Sequence, residues 1–400
     1  MPLYIFYNVV NNRLRLAIVC PACGKGGAVA NVALHQTQEL SAFFCVTLLS
    51  DSFPATGLEG VSFHSLLPPR FCWLRRFGHV PREIAFALSA KAALTRLYTQ
   101  AGVDVVLCHG HPVAALAAGS LWRSLRIPYA LITHGDIFDR PKGTYDPQLT
   151  WFYQQVTRPA YRGAALVVAL SPRMRDLALR GGVAPERVVV IPNGIDPSEI
   201  GLDERAPPPA RAPAARLELL YVGRLSVEKG VDVLIAAAGL LKADGVAFRL
   251  RLAGSGPEEA RLRMLVTQSQ LDAQVVFLGP VPRLAMGALY QSADVVCVPS
   301  RSEALPTVAL EAMTAGVAVV GCAVGGIPSV IEEGVSGLLV PSQTPRAMAE
   351  ALHRLGRDPP LMRRMGEAGR QRSARVFNWL DIGATLAREI GRISRTRPEV

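Results

Sequence analysis

The residues of this 400-residue chain best placed to do chemistry are Arg224, Lys229, Glu303, Glu311, His109 and His134. In LLYVGRLSVEKGVDVLI, Leu219–Ile235, an apolar run stops at Gly223 and a helical pattern begins near Gly230. Arg224 and Lys229 therefore fall between a strand's C-terminal end and a helix's N-terminal end. Free N–H groups and the positive end of the helix dipole favour an anion there. Two cations would neutralise a diphosphate and stabilise it as a leaving group. Taken singly, each would read as solvated surface.

A second stretch is PSRSEALPTVALEAMTAGVAVV, Pro299–Val320. A strand over Val295–Val298 leads into a loop carrying Glu303, Ala304 and Leu305. Pro306 sits near the first turn of a helix, where its missing N–H costs little, and Gly316 ends that helix. Thr307 and Glu311 are four apart and share a face. Backbone N–H groups near Leu305, Thr307 and Val308 can hold phosphate, while both carboxylates can accept hydrogen bonds from sugar hydroxyls. Glu311 also reads as an ordinary exposed helix glutamate. A glycosidase pair of carboxylates is a further reading, set aside because hydrolysis does not require phosphate-binding groups beside it.

In LITHGDIFDRP a strand delivers His134 to the loop after it, and His109 and His111 follow the neighbouring strand in the same way. Zinc needs three or four ligands with supporting partners, and no spacing here matches such a site. The histidines are read as cleft-lining hydrogen-bonding groups. Gly24, Gly26 and Gly27 open a helix after the first strand, but their spacing is not that of a dinucleotide fingerprint. Gly254 and Gly256 in AGSGP make another strand-end turn. Cys20 and Cys23 form a lone C-x-x-C, read as small buried residues rather than a zinc or redox site.

Alternating strand and helix patterns place these residues. The sequence predicts strands over 14–20, 44–49, 103–108, 129–133, 166–169 and 188–191, then over 217–222, 248–253, 274–278, 295–298, 317–320 and 337–340. Helices are predicted over 28–40 and 81–101, and at the end over 360–374 and 379–393. This is an α/β chain of two Rossmann-like, doubly wound domains facing a cleft, with ligands outside the carboxyl ends of the strands. The expected division is 1–204, a linker over RAPPPARAPAAR at 205–216, and 217–377, with 378–400 crossing back onto the first domain. Residues 1–13 read as a short extension.

Half the residues are hydrophobic and 19% are charged, which excludes a disordered chain. The net charge of +11 suits phosphorylated ligands or anionic lipid. Nucleic acid is not expected as a partner, because no zinc finger, basic zipper or aromatic RNA-binding signature is present. Seven scattered cysteines do not form a disulfide framework. No apolar stretch is long enough to span a membrane, and the N-terminus lacks a signal-peptide pattern. The expected location is the cytoplasm, either free or on the inner face of the membrane.

The spacing Glu303-x7-Glu311, the loop GRLSVEKG, PNGID at Pro192–Asp196, AGSGP, FLGPV at Phe277–Val281 and the N-terminal glycine loop together resemble glycosyltransferase family 4, retaining enzymes of GT-B fold. The resemblance runs from about Leu14 to Ile393. It implies that Arg224 and Lys229 hold the diphosphate of a nucleotide sugar, and that Glu311 binds the ribose hydroxyls. It implies that Glu303 contacts the donor sugar, with Ala304, Leu305, Pro306 and Thr307 touching sugar and phosphate. Gly254 and Val281 would lie by the nucleotide, His134 by the reacting sugar, and Gly26, Gly27, His109 and His134 along the acceptor side. No cofactor or metal is implied; the leaving phosphate takes the acceptor proton. Ala304 stands where many members have glycine, and Leu107 where many have histidine. The segment Leu66–Glu83 mixes Arg70, Arg75, Arg76 and Arg82 with Phe71, Trp73 and Phe77. It suits either a membrane interface or a helix packed on the core; the first implies a lipid-linked glycan acceptor. Rival readings are a sugar-nucleotide epimerase, a phosphorylase, an NAD-dependent oxidoreductase and a non-catalytic binding protein. The phosphorylase lacks a free lysine for its cofactor, and the oxidoreductase lacks its fingerprint.

Overall fold

A computed structural model describes residues 13–20, 23, 28–52, 57–66, 79–110, 115, 119, 126–135, 147–203 and 216–395, without side chains for 28, 79–83 and 147–154. The glycine-loop residues Gly26 and Gly27, His111, the basic-aromatic stretch 67–78 and nearly all of the 205–216 segment lie outside them.

The first sheet comprises β1 (Arg15–Val19), β2 (Cys45–Ser50), β3 (Val61–Ser65), β4 (Val105–His109), β5 (Tyr129–Thr133), β6 (Leu166–Ala169) and β7 (Val188–Val190). Its order is β3-β2-β1-β4-β5-β6-β7, with every pair parallel. The second sheet comprises β8 (Leu217–Val222), β9 (Phe248–Ala253), β10 (Val275–Gly279), β11 (Val295–Val298), β12 (Ala318–Cys322) and β13 (Gly337–Val340). It runs β10-β9-β8-β11-β12-β13, again all parallel. In each sheet the order reverses once, between β1 and β4 and between β8 and β11. A crevice opens at such a reversal because the connecting helices leave on opposite faces.

The central strands are apolar runs because helices cover both of their faces. All residues of β4, β5, β6, β11 and β12 are buried. The edge strand β3 was not predicted. Its sequence VSFHS is short, polar and largely exposed, and only its parallel register with β2 makes it a strand.

The C-terminal helix Trp379–Arg395 buries Trp379, Ile382, Leu386, Ala387, Ile390 and Ile393 on one face. That face packs against the first-domain helix Ala28–Ser41. Gly383 permits the approach: a Cβ there would lie 2.6 Å from the Cβ of Glu39. The helix begins where Asn378 Oδ1 accepts the Leu380 N–H at 2.8 Å. Just before it, the Phe377 carbonyl accepts the Ile195 N–H at 2.9 Å, and Trp379 lies against Gly194. The PNGID segment thus meets the returning chain at the junction of the two domains.

Candidate active site

Lys229 and Glu303 come together across the second sheet's reversal. Lys229 follows β8 in the short turn Val227–Lys229, and Glu303 follows β11. The Lys229 Nζ donates to Glu303 Oε2 at 2.6 Å, and the Ser300 hydroxyl donates to the same oxygen at 3.2 Å. With Gly223, Pro306, Thr307 and Val308 they line a pocket of about 50 Å³, a phosphate-sized space. Thr307 and Val308 begin the helix Thr307–Thr314, so their N–H groups have no intrahelical acceptor and face the positive end of the dipole.

The surrounding loops are pinned by backbone contacts that tolerate no side chain. Gly230 has φ +66°, and a Cβ there would lie 2.1 Å from the Pro299 carbonyl oxygen. Gly254 has φ +132° and would bring a Cβ within 1.9 Å of the Gly223 oxygen. The AGSGP stretch is therefore the packing partner of the Lys229 loop, not merely a turn. Behind Glu303, a Cβ on Gly325 would lie 1.8 Å from the Glu303 oxygen, and one on Gly326 would lie 2.0 Å from the Ala304 oxygen. Arg301 forks onto Asp232, both N–O distances being 2.8 Å, and also donates to the Val227 carbonyl. Burial pushes the Asp232 carboxyl up, but the Arg301 fork outweighs it and holds the group below its ordinary value. This pair clamps the Lys229 turn against the β11 loop.

Arg224 is exposed. Its carbonyl accepts the Tyr221 hydroxyl at 2.8 Å, and its guanidinium has no partner among the described residues. Val281 is partly buried in the loop after β10.

Glu311 is not the exposed helix glutamate of the alternative reading; it is buried, and each carboxylate oxygen is held. Arg283 Nη1 donates to Oε1 at 2.9 Å, and the Tyr290 hydroxyl donates to Oε2 at 2.6 Å. Burial and the Glu311 charge push the Tyr290 phenol well up, so it stays a donor. Arg283 also donates to Glu199 in the first domain. Neither Arg283, Tyr290 nor Glu199 was expected at the site. Arg283 lies in the turn Arg283–Ala285 after β10 and Glu311 on the helix Thr307–Thr314 after β11, and only the fold brings the two together.

On the first domain, His109 Nδ1 and His134 Nε2 lie 3.1 Å apart, with the rings stacked. Burial lowers the His134 pKa to about 4. Burial, then the His134 charge, lowers that of His109 well below the usual range. Both rings are neutral at pH 7, so one nitrogen of the pair donates and the other accepts. His109, the last residue of the central strand β4, is wholly buried, and its Nδ1 reaches the His134 ring. Gly110, at φ +62°, leaves room for the His134 ring, 3.1 Å from where a Cβ would stand.

Among the described residues no group of three His, Cys, Asp or Glu is arranged to hold a metal ion. Cys20 and Cys23 are buried thiols, not joined in a disulfide. No helix among the described residues is long and apolar enough to cross a membrane.

The family described as Glycosyltransferase Family 4 matches residues 26–199, and that described as Glycosyl transferases group 1 matches residues 204–372. A glycosyltransferase of Escherichia coli K12 assigned provisionally to colanic acid biosynthesis, WcaL, is 34% identical over 288 residues, covering 70% of this chain and 67% of its own. The alpha-maltose-1-phosphate synthase of Mycolicibacterium smegmatis is 33% identical over 321 residues, covering 73% and 82%. In fold, the chain is similar to sucrose-phosphate synthase of Thermosynechococcus elongatus, with TM-score 0.78, 22% identity, and coverage of 95% and 99%. HepE of Anabaena, solved with UDP-glucose, follows at TM-score 0.72 and 19% identity, covering 95% and 100%. Two parallel doubly wound sheets, matched in turn by two glycosyltransferase families and by relatives along most of their length, place this chain among the family 4 glycosyltransferases of GT-B fold.

Proposed function

We propose that the chain transfers a hexosyl unit from a nucleoside diphosphate sugar to a glycan or lipid-linked glycan, with retention of configuration and without a metal ion, in polysaccharide or cell-envelope glycan assembly. The observation that carries this reading is the phosphate-sized pocket where Lys229 meets Glu303 at the N-terminus of the helix Thr307–Thr314. A cation, a helix dipole and free N–H groups converge there, which is the requirement for stabilising a departing diphosphate without a metal.

Lys229 and Arg224 neutralise the diphosphate, and the N–H groups of Thr307 and Val308 donate hydrogen bonds to its oxygens. Glu303 holds the donor sugar's hydroxyls, and Glu311 the ribose diol. Neutral His134, set by His109 behind it, borders the reacting sugar. The departing phosphate takes the proton of the acceptor hydroxyl as the new bond forms. The relative assigned to colanic acid biosynthesis supports an exopolysaccharide setting. The HepE structures with UDP and UDP-glucose support a uridine nucleotide as donor. Exposed Ile84 and Leu88, on the helix that follows the basic-aromatic stretch, support attachment to the inner face of the membrane.

The test is calorimetric titration with UDP, GDP and ADP in the presence of chelator. Binding of one nucleotide, lost in Glu311→Ala, is the expected result. A folded sample that binds none of the three overturns the donor site, and binding that appears only with added magnesium or zinc overturns metal independence.

A further inference from the structure

Arg283 joins the two domains through a single guanidinium. It lies in the turn Arg283–Ala285 after β10. Its Nη1 donates to Glu311 Oε1 at 2.9 Å and its Nη2 to Glu199 Oε2 at 2.5 Å. Glu199 belongs to the first-domain turn Pro197–Ile200, where His35 meets its other oxygen. His35 in turn stacks on Trp379, with ring centroids 5.2 Å apart and planes within 8°. The backbones are as close as the side chains. A Cβ on Gly201 would lie 2.1 Å from the Leu284 oxygen, and one on Gly287 would lie 2.6 Å from the Ile200 oxygen.

A carboxylate offers about four acceptor positions. Arg283 and Tyr290 occupy one on each Glu311 oxygen, which fixes the plane of the group and leaves the remaining lone pairs for a vicinal diol. The Arg283 fork has the planar geometry to do this, which a lysine lacks. Burial opposes the Arg283 charge, but Glu199 and Glu311 outweigh it and raise its pKa above the usual value.

We infer that Arg283 is a positioning residue of the donor site: it orients Glu311 for the ribose diol and, through Glu199, makes nucleotide affinity depend on the placement of the first domain. This rests on the reading of Glu311 as the ribose acceptor. Its consequence is that Glu199, a first-domain residue that acts only through Arg283, contributes to nucleotide binding.

The test titrates UDP, GDP and ADP into the wild-type chain, then the tightest of them into Arg283→Met, Arg283→Lys, Glu199→Gln, the Glu199→Gln/Arg283→Met double variant and Glu311→Gln, each checked for its melting temperature. Loss of a charge-assisted hydrogen bond corresponds to roughly tenfold weaker binding in Arg283→Met. Arg283→Lys recovers part of it, Glu199→Gln loses about threefold, and the double variant binds no more weakly than Arg283→Met alone, as expected for residues acting in series. Donor KM follows the same order. If Glu311→Gln weakens binding while the Arg283 and Glu199 variants bind as wild type, the inference is overturned and the ribose reading stands. If the Glu199 and Arg283 losses add in full, the coupling through Glu199 is overturned. If Glu311→Gln binds as wild type, or no nucleotide binds the wild-type chain, the ribose reading falls first and the inference with it.

Discussion

Lys229 Nζ lies 2.6 Å from Glu303 Oε2, on loops that leave neighbouring strands β8 and β11 where the strand order reverses. Seventy-four positions apart in the chain, the two residues meet because both loops leave the carboxyl ends of adjacent parallel strands. The Glu303 side chain is only 15% exposed, and Lys229 is the cation that pairs with it.

Removing the cation leaves a largely buried carboxylate beside the diphosphate. Lys229→Met is expected to lower turnover by about 30- to 1,000-fold, corresponding to roughly 2–4 kcal/mol of lost charge stabilisation in the transition state. Steady-state rates of nucleotide release measure it. Wild-type turnover in this variant excludes Lys229 from leaving-group stabilisation.

Glu311→Ala removes the acceptor proposed for the ribose and leaves Arg283 and Tyr290 facing a void. Nucleotide affinity is expected to fall by about 2–4 kcal/mol, the value of two charge-assisted hydrogen bonds. Calorimetry reads the affinity. A dissociation constant within twofold of wild type rejects the assignment.

Two glycines with positive φ separate packing from backbone strain. Gly254→Ala must place a methyl 1.9 Å from the Gly223 oxygen, whereas Gly245, at φ +71°, has nothing within 4 Å. Gly245→Ala is expected to cost about 1–2 kcal/mol, the left-handed penalty alone. Gly254→Ala should cost at least about 2 kcal/mol more through overpacking and should weaken nucleotide binding. Denaturant melts of the two variants compare them, and equal losses contradict the packing role given to Gly254.

The histidine pair predicts a pH dependence of stability. Burial holds folded His134 at about 4 against an ordinary value of 6.5, and His109 is lowered too. Between those values the unfolded chain binds protons that the folded chain refuses, so stability falls as pH drops from about 6.5 towards 4 and is fully present above that window. Denaturation midpoints across this range should follow that slope, and His134→Gln should make it shallower. An unchanged slope in the variant means that another group sets it.

Much of the architecture was legible in order and type. Apolar runs such as VVLCH, YALIT and AVVGC mark central parallel strands, because a strand covered on both faces must be apolar throughout. Amphipathic spacing marks the final helix, and the Pro306 and Gly316 pair brackets the helix that carries Glu311. Edge strand β3 was not read from the sequence, since its alternation is limited to Val61 and Phe63 and its conformation comes from pairing with β2.

By itself the sequence determined which residues end strands and begin helices, and so placed Arg224, Lys229, Glu303, His109 and His134 near element ends and Glu311 one turn into a helix. Those placements follow from local propensity and periodicity, which act over a few residues. Only the tertiary structure decided who meets whom. It put Lys229 on Glu303, Arg283 between Glu311 and Glu199, and His109 behind His134. These contacts join residues from 25 to 84 positions apart, and strand order and domain packing set them. Local pattern carries no record of distances across a sheet, so the partners emerge only once the chain is closed.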